Sequence, residues 1–217
     1  MLWTAPRWLV QRLAARSPRC LFAVQTAERV VALTLDDGPD AVHTREILRV
    51  LRENDACATF FLISSRVPGN EALVAAMVAE GHELGNHLTH DEPSVRLAPA
   101  EFVAAMREAD MVLQRFAPVH WLRPASGWYT DAMLETIERE GHRCALGSIY
   151  PYDAHHPWAH VSAAYLLANA RPGAVIVLHE GGDRGRRTVE VLRRVLPALR
   201  ARGYRIVTLS ELAGLQR

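Results

Sequence analysis

The chain has 217 residues, 49% of them hydrophobic, which suits one well-buried domain and is short for two domains joined by a linker. Twenty-five basic residues against 24 acidic ones leave a formal net charge of +1, so no global field draws in nucleic acid or an anionic membrane surface. All 25 basic residues are arginine, which excludes a Schiff-base lysine and a phosphate-loop lysine.

The first residues, MLWTAPRWLVQRLAARSP, set Trp3, Trp8, Leu9 and Leu13 among arginines. The pattern predicts an amphipathic extension over residues 1–22 that packs on the domain formed by residues 23–217. It holds no uninterrupted apolar run long enough for a signal peptide or a membrane span, so the expected location is the cytoplasm. Cys20, Cys57 and Cys144 are an odd number at wide spacing and read as free thiols rather than a disulfide framework.

From residue 30 onward, short apolar runs alternate with longer helical patterns. Val30 to Leu35 reads as a buried strand, and His43 to Glu53 as a helix with Ile47, Leu48, Val50 and Leu51 on one face. Ala58 to Ile63 is the next strand, Glu71 to Glu80 a helix stopped by Gly81, and Glu83 to Asn86 a short strand. A helix from Pro99 to Phe116, a strand over Trp121 to Arg123, a helix from Thr130 to Glu140 and a strand from His142 to Leu146 continue the series. Ser162 to Ala170 is helical and Ala174 to Leu178 is the clearest strand. Arg187 to Arg202 is a long helix, Tyr204 to Thr208 a strand, and Ser210 caps a last short helix. Such alternation implies parallel strands with crossover helices, and about seven repeats in one domain predict a distorted (β/α) barrel.

The unusual polar residues follow strands, the end at which parallel barrels carry their active sites. Asp36 and Asp37 follow the first strand, His87, His90 and Asp91 the third, and Arg123 ends the fourth. His179 and Glu180 come directly after five apolar residues. Adjacent carboxylates repel unless a cation or a shared proton offsets them, so a division between metal ligand and general base is reasonable; DDGP is also an ordinary turn. His87 with His90 or with Asp91 reaches one ion if the segment forms one turn of helix. The remaining histidines, His43, His82, His120, His142, His155, His156 and His160, read as surface or capping residues.

Five segments, TLDDG (34–38), ATFF (58–61), GHELGNH (81–87), LRPASG (122–127) and VLHEG (177–181), together resemble the polysaccharide deacetylase family of carbohydrate esterases, in order and over about residues 30–210. The resemblance implies a metal-dependent hydrolase that removes an acetyl or similar acyl group from an N-acetylated sugar by a metal-activated water. It implies one divalent ion, usually zinc, held by Asp37, His87 and a third ligand. The family's second histidine position holds Asp91 here, with His90 one place early; Asp91 is the favoured third ligand and His90 the alternative.

By the same resemblance Asp36 is the general base, His179 the general acid and Arg123 the residue that orients the catalytic aspartate. Ser126, Gly127, Trp128 and Tyr129 line the substrate groove. LGSIYPYD (146–153) replaces the usual tryptophan-bearing motif, and Asp153, counted with the substrate-binding residues, is expected to serve the site by tuning Arg123 or His179. Two other readings remain open: a hydrolase of small amides or imides, and a sugar-binding member of the fold without catalysis. The expected partner is a carbohydrate or small amide, with no nucleic acid; the oligomeric state is not legible.

Overall fold

In the computed structural model, Arg12, residues 17–153 and residues 158–215 are described. Trp3, Trp8, Leu9 and Leu13 of the expected extension, and His155 and His156, lie outside them.

Among the described residues from 17 onward, eight strands and seven α-helices follow one another: β1 (Cys20–Leu21), β2 (Val30–Gly38), α1 (His43–Arg52), β3 (Thr59–Leu62), α2 (Glu71–Ala79), β4 (Glu83–Asn86), α3 (Pro99–Leu113), β5 (Trp121–Leu122), α4 (Asp131–Arg139), β6 (Arg143–Ala145), α5 (Ala159–Asn169), β7 (Ala174–His179), α6 (Asp183–Ala201), β8 (Arg205–Val207) and α7 (Leu209–Ala213). All strand pairs are parallel, in the order β1-β6-β5-β4-β3-β2-β7, with β8 alongside the start of β2. The sheet curls until its ends meet at a seam. There the contacts are single bridges, Ile149 to Ile176 in parallel and Ala23 to Ala174 antiparallel. The expected distorted barrel is therefore present, with one strand more than seven because β1, only two residues long, carries no periodic signal.

Each β2 residue alternates between two apolar regions, as the two-residue period of a strand requires. Val31, Leu33 and Leu35 pack outward with α1 and α6, whereas Val30 and Ala32 join Phe61, Trp121 and Val175 inside the barrel. α6 buries Val189, Leu192, Val195, Leu196 and Leu199 at helical spacing. It begins at Asp183, four residues ahead of the expected Arg187, because its first turn is Asp-Arg-Gly-Arg and holds nothing apolar. α7 is capped by Thr208, whose hydroxyl accepts from the Glu211 N–H at 3.3 Å. Ser210, the expected cap, instead lies inside the helix and accepts from Trp121 Nε1 at 2.9 Å.

Two expected surface histidines are interior. His82 is buried beside Phe60, with ring centroids 5.3 Å apart, and His142 is buried with Nε2 2.7 Å from Asp110 Oδ2. Cys20 and Cys144, far apart in sequence, are register partners of β1 and β6, and their sulfurs lie 3.1 Å apart.

Candidate active site

The same alternation that builds the core aims the polar residues. Thr34 and Asp36 continue the inward face of Val30 and Ala32; Arg123 continues that of Trp121; His179 continues that of Val175. Asp36 is in register with His179 across β2 and β7. Asp37 would point outward by parity. Its backbone is left-handed (φ 69°), and the β2–β3 register shifts between Asp36 and Gly38, so both adjacent carboxylates serve the interior end.

Arg123 is buried and donates four hydrogen bonds. Nη1 donates to Asp36 Oδ1 at 2.5 Å and to Thr34 Oγ1 at 2.8 Å, Nε to the Ala145 carbonyl at 3.0 Å, and Nη2 to the Leu146 carbonyl at 3.1 Å. Its guanidinium lies 4.1 Å from the Phe61 ring centroid. Phe61 can occupy that place because Gly85 stands opposite: a Cβ there would be 2.6 Å from the ring. The arginine thus holds Asp36 by Oδ1 at the cavity wall.

His87 follows β4 in an irregular loop with Leu88 left-handed (φ 65°), rather than in the turn of helix considered from spacing. Asn86 fixes this loop: its Nδ2 donates to the Met106 carbonyl and to Asp110 Oδ1, each at 2.9 Å, and its Oδ1 accepts from the Leu88 N–H at 2.8 Å. His87 Nδ1 donates to the Arg123 carbonyl at 2.7 Å, which turns Nε2 toward Asp37 Oδ1, 3.4 Å away. Burial disfavours charge on His87, but Asp37 and Asp36 outweigh it and raise its pKa. Burial would likewise raise Asp37; His87, then His179 and Arg184, reverse that and hold it well below the usual carboxylate range.

On the β7 side, His179 Nδ1 lies 3.1 Å from Asp153 Oδ2, and the same oxygen accepts the His179 N–H at 2.9 Å. Nδ1–H therefore points at Asp153, leaving Nε2 for the cavity. Burial works against charge on His179, but Asp153, with Asp36 and Asp37 behind it, overrides burial and lifts the pKa to about 9. Asp153 sits beneath His179, only 1% exposed, and does not line the cavity; of its two expected targets it meets His179. Tyr150 packs edge-on to the imidazole, centroids 5.7 Å apart.

These groups share a cavity of about 1050 Å³. Asp36, Asp37, His87, Asp91, Arg123 and His179 line it, and Ser126, Gly127, Trp128 and Tyr129 form one wall, with Trp128 70% exposed. His90 is exposed and is not among the lining residues.

Two arginines that sequence reasoning does not single out complete the cluster. Arg184, in the first turn of α6, donates through Nη1 to Asp37 Oδ2 at 2.6 Å and lies 3.6 Å from Asp91 Oδ2 through Nη2. Arg66 donates to the Asp37 carbonyl and, at 3.1 Å, to Asp91 Oδ2. Both follow strands, β3 and β7, so the positional rule that finds Asp36 could have found them. Glu180 is fully buried behind Gly38. It accepts from Thr44 Oγ1 at 2.9 Å, and burial pushes its pKa up to about 8.

Residues 23–145 match the family model described as polysaccharide deacetylase. The chain belongs to the polysaccharide deacetylase family. Among curated relatives of this deacetylase, the peptidoglycan-N-acetylglucosamine deacetylase of Bacillus cereus is 34% identical over 192 residues, covering 87% of the chain and 90% of the relative. The chitooligosaccharide deacetylase of a Bradyrhizobium species is 35% identical over 214 residues, covering 88% and 97%. The solved Bc1960 peptidoglycan N-acetylglucosamine deacetylase, bound to a naphthyl N-hydroxybenzamide, superposes with a TM-score of 0.85 at 27% identity, covering 92% of this chain and 94% of that one. The family match and the parallel barrel agree with each other, and His179 lies beyond the 23–145 match on a strand that the barrel itself brings to Asp36.

Proposed function

We propose that this deacetylase hydrolyses the acetamide of an N-acetylated sugar, in a chitin-like or peptidoglycan-like chain. The observation that carries the reading is the pairing of two oriented dyads across one cavity: Asp36 held by Arg123, and His179 held by Asp153. Asp36 takes the proton of the attacking water, and His179, protonated at neutral pH, delivers one from Nε2 to the leaving amine. Arg123 keeps Asp36 on the water's side and Asp153 keeps the imidazole in the donating orientation. Ser126 to Tyr129 form the wall against which the sugar lies, with the exposed Trp128 as its stacking face.

The family generally depends on a divalent ion; among the described residues no three such donors converge on one point, but the residue types at the cavity, two carboxylates and an imidazole, are ones that hold such an ion. His87 Nε2 and Asp37 Oδ1 already face each other, and a cationic guanidinium bridges Asp37 and Asp91, which identifies that gap as a place for positive charge. Asp37, His87 and Asp91 are accordingly proposed as ligands, with zinc as the expected metal. When bound, the ion supplies Lewis acidity at the acyl carbonyl.

The test is acetate release from N-acetylated chitooligosaccharides and peptidoglycan fragments, beside a panel of small amides and imides. Chelation should abolish release and Zn²⁺ or Co²⁺ restore it. D36N and H179A should each lose about 10²-fold or more in kcat/KM while melting as the wild type does. Full activity of either variant, or activity confined to the small amides, would overturn the reading.

A further inference from the structure

We propose that Cys20 and Cys144 form one oxidisable dithiol site, which a low-molecular-weight disulfide such as oxidised glutathione converts into a covalent tie between β1 and β6.

Both cysteines are buried thiols in this structure, and their sulfurs lie 3.1 Å apart. The backbone brings them together: Cys20 and Cys144 are register partners in the parallel β1–β6 pair, followed by Leu21 and Ala145. Adjacent strands run about 4.8 Å apart, inside the range of about 4.4–6.8 Å that a disulfide requires between its Cα atoms. Register partners project to the same face of a sheet, so the two sulfurs need approach by only about 1 Å more to bond. The cluster around them is apolar, with Leu122 between the strands' neighbours and Leu134 and Ile137 of α4 above. Cys57 is half-buried and precedes β3, with β5 and β4 standing between that strand and β6 in the sheet.

Access comes from the shortness of β1. The strand is two residues long and begins the sheet order. Its Leu21 carbonyl accepts the Leu146 N–H at 2.9 Å, and Arg19 pairs with Glu135 and Glu138 of α4 through half-exposed contacts. Exposed pairs of this kind hold weakly, so β1 opens more readily than the central ladder and presents Cys20. In the closed pair the Cys20 partner and burial hold the Cys144 thiol well above its ordinary pKa, which slows its attack on an oxidant.

The exchange balances. The Cys20 thiolate attacks one sulfur of the external disulfide and expels one thiol; Cys144, losing its proton, then attacks Cys20 Sγ of the mixed disulfide and expels the second. One S–S bond forms in the protein and one breaks in the reagent, the protein loses two electrons, and both protons leave on the released thiols. The tie spans 124 positions of the chain. It sits directly before the Ala145 and Leu146 carbonyls that hold Arg123, and two residues before Phe22 and Leu146, which line the cavity. Oxidation therefore fastens the β1 edge to the wall of the active site.

The experiment uses the full chain carrying C57S, which leaves only these two thiols. Reduced protein is equilibrated with oxidised glutathione, once folded and once during refolding from urea, so that burial does not limit access. The intact mass should fall by about 2 Da, and unreduced peptide mapping should join the segment of Cys20 to that of Cys144. Closing so long a loop should raise Tm by roughly 5 to 15 °C, and dithiothreitol should reverse the rise. The same treatment of C20S/C57S should give no such rise; wild type, mapped in the same way, serves if C57S folds poorly. Two thiols still open to alkylation after refolding with the oxidant, glutathione adducts without a cross-link, or an equal rise in C20S/C57S would overturn the proposal.

Discussion

D153N isolates the group that keeps the proposed acid charged. Asp153 faces His179 through the N–H and Nδ1 at 2.9 and 3.1 Å, and lifts its pKa from 6.5 to about 9 against the pull of burial. Asparagine keeps the shape and one carbonyl acceptor but loses the charge. Without that charge burial pulls the His179 pKa back down, so the protonated fraction above neutrality falls and kcat/KM at pH 8 should drop by roughly 10-fold or more, with a smaller change at pH 6. The sign follows from the direction of the shift: a raised histidine remains an acid below its pKa and fails above it, so the alkaline limb moves acidward. A divalent ion on Asp37 would move both proteins' limbs alike and leave their difference. The assay is kcat/KM from pH 5.5 to 9.5 for wild type and D153N, with deuterium-exchange NMR of the His179 imidazole as the direct titration. An alkaline limb common to both proteins would refute the assignment of Asp153 as the group that charges His179.

Three further substitutions test the scaffold. R123M leaves Asp36 buried without its partner and should cost about 3–5 kcal/mol of stability, read from urea denaturation; a loss below 1 kcal/mol would mean that the buried pair is dispensable. G38A places a methyl 1.4 Å from Glu180 Oε1, and should destabilise by about 1–3 kcal/mol, with the G38A/E180A double variant recovering most of it in a double-mutant cycle. His82, pushed down to about 4 by burial, is neutral in the fold, so stability should be intact above pH 6.5 and decline as the pH falls from there toward 4. H82Q should flatten that slope in thermal melts.

Much of the site can be read in the chain because the barrel obeys two simple rules: alternation along strands and chemistry at their C-terminal ends. Asp36, Arg123 and His179 fall on the inward parity of their strands, and the cavity gathers them with His87. The parts that escape have particular causes. Asp37 reaches the interior only through a left-handed backbone and a register shift, neither of which has a sequence signal in DDGP. Arg184 is missed because the first turn of α6 contains no apolar residue, so periodicity starts the helix too late and leaves the arginine in a loop. Cys20 and Leu21 form a strand too short for any period, although it brings Cys20 against Cys144. His82 and His142 are buried by packing and by Asp110, at strand starts where the sequence resembles an exposed turn.

The seam of the barrel has a further consequence. β2, β3 and β4 are laced into one continuous ladder that carries Asp36, Asp37 and the approach to His87. Asp153 and Tyr150 come instead from the stretch between β6 and β7, which runs beside β7 with the Ile149 to Ile176 bridge and hydrogen bonds that join Ser148, Ile149 and Asp153 to that strand. The proposed base and two of the proposed ligands thus sit on or directly after one continuous ladder, while the groups around the proposed acid reach it from a connecting stretch.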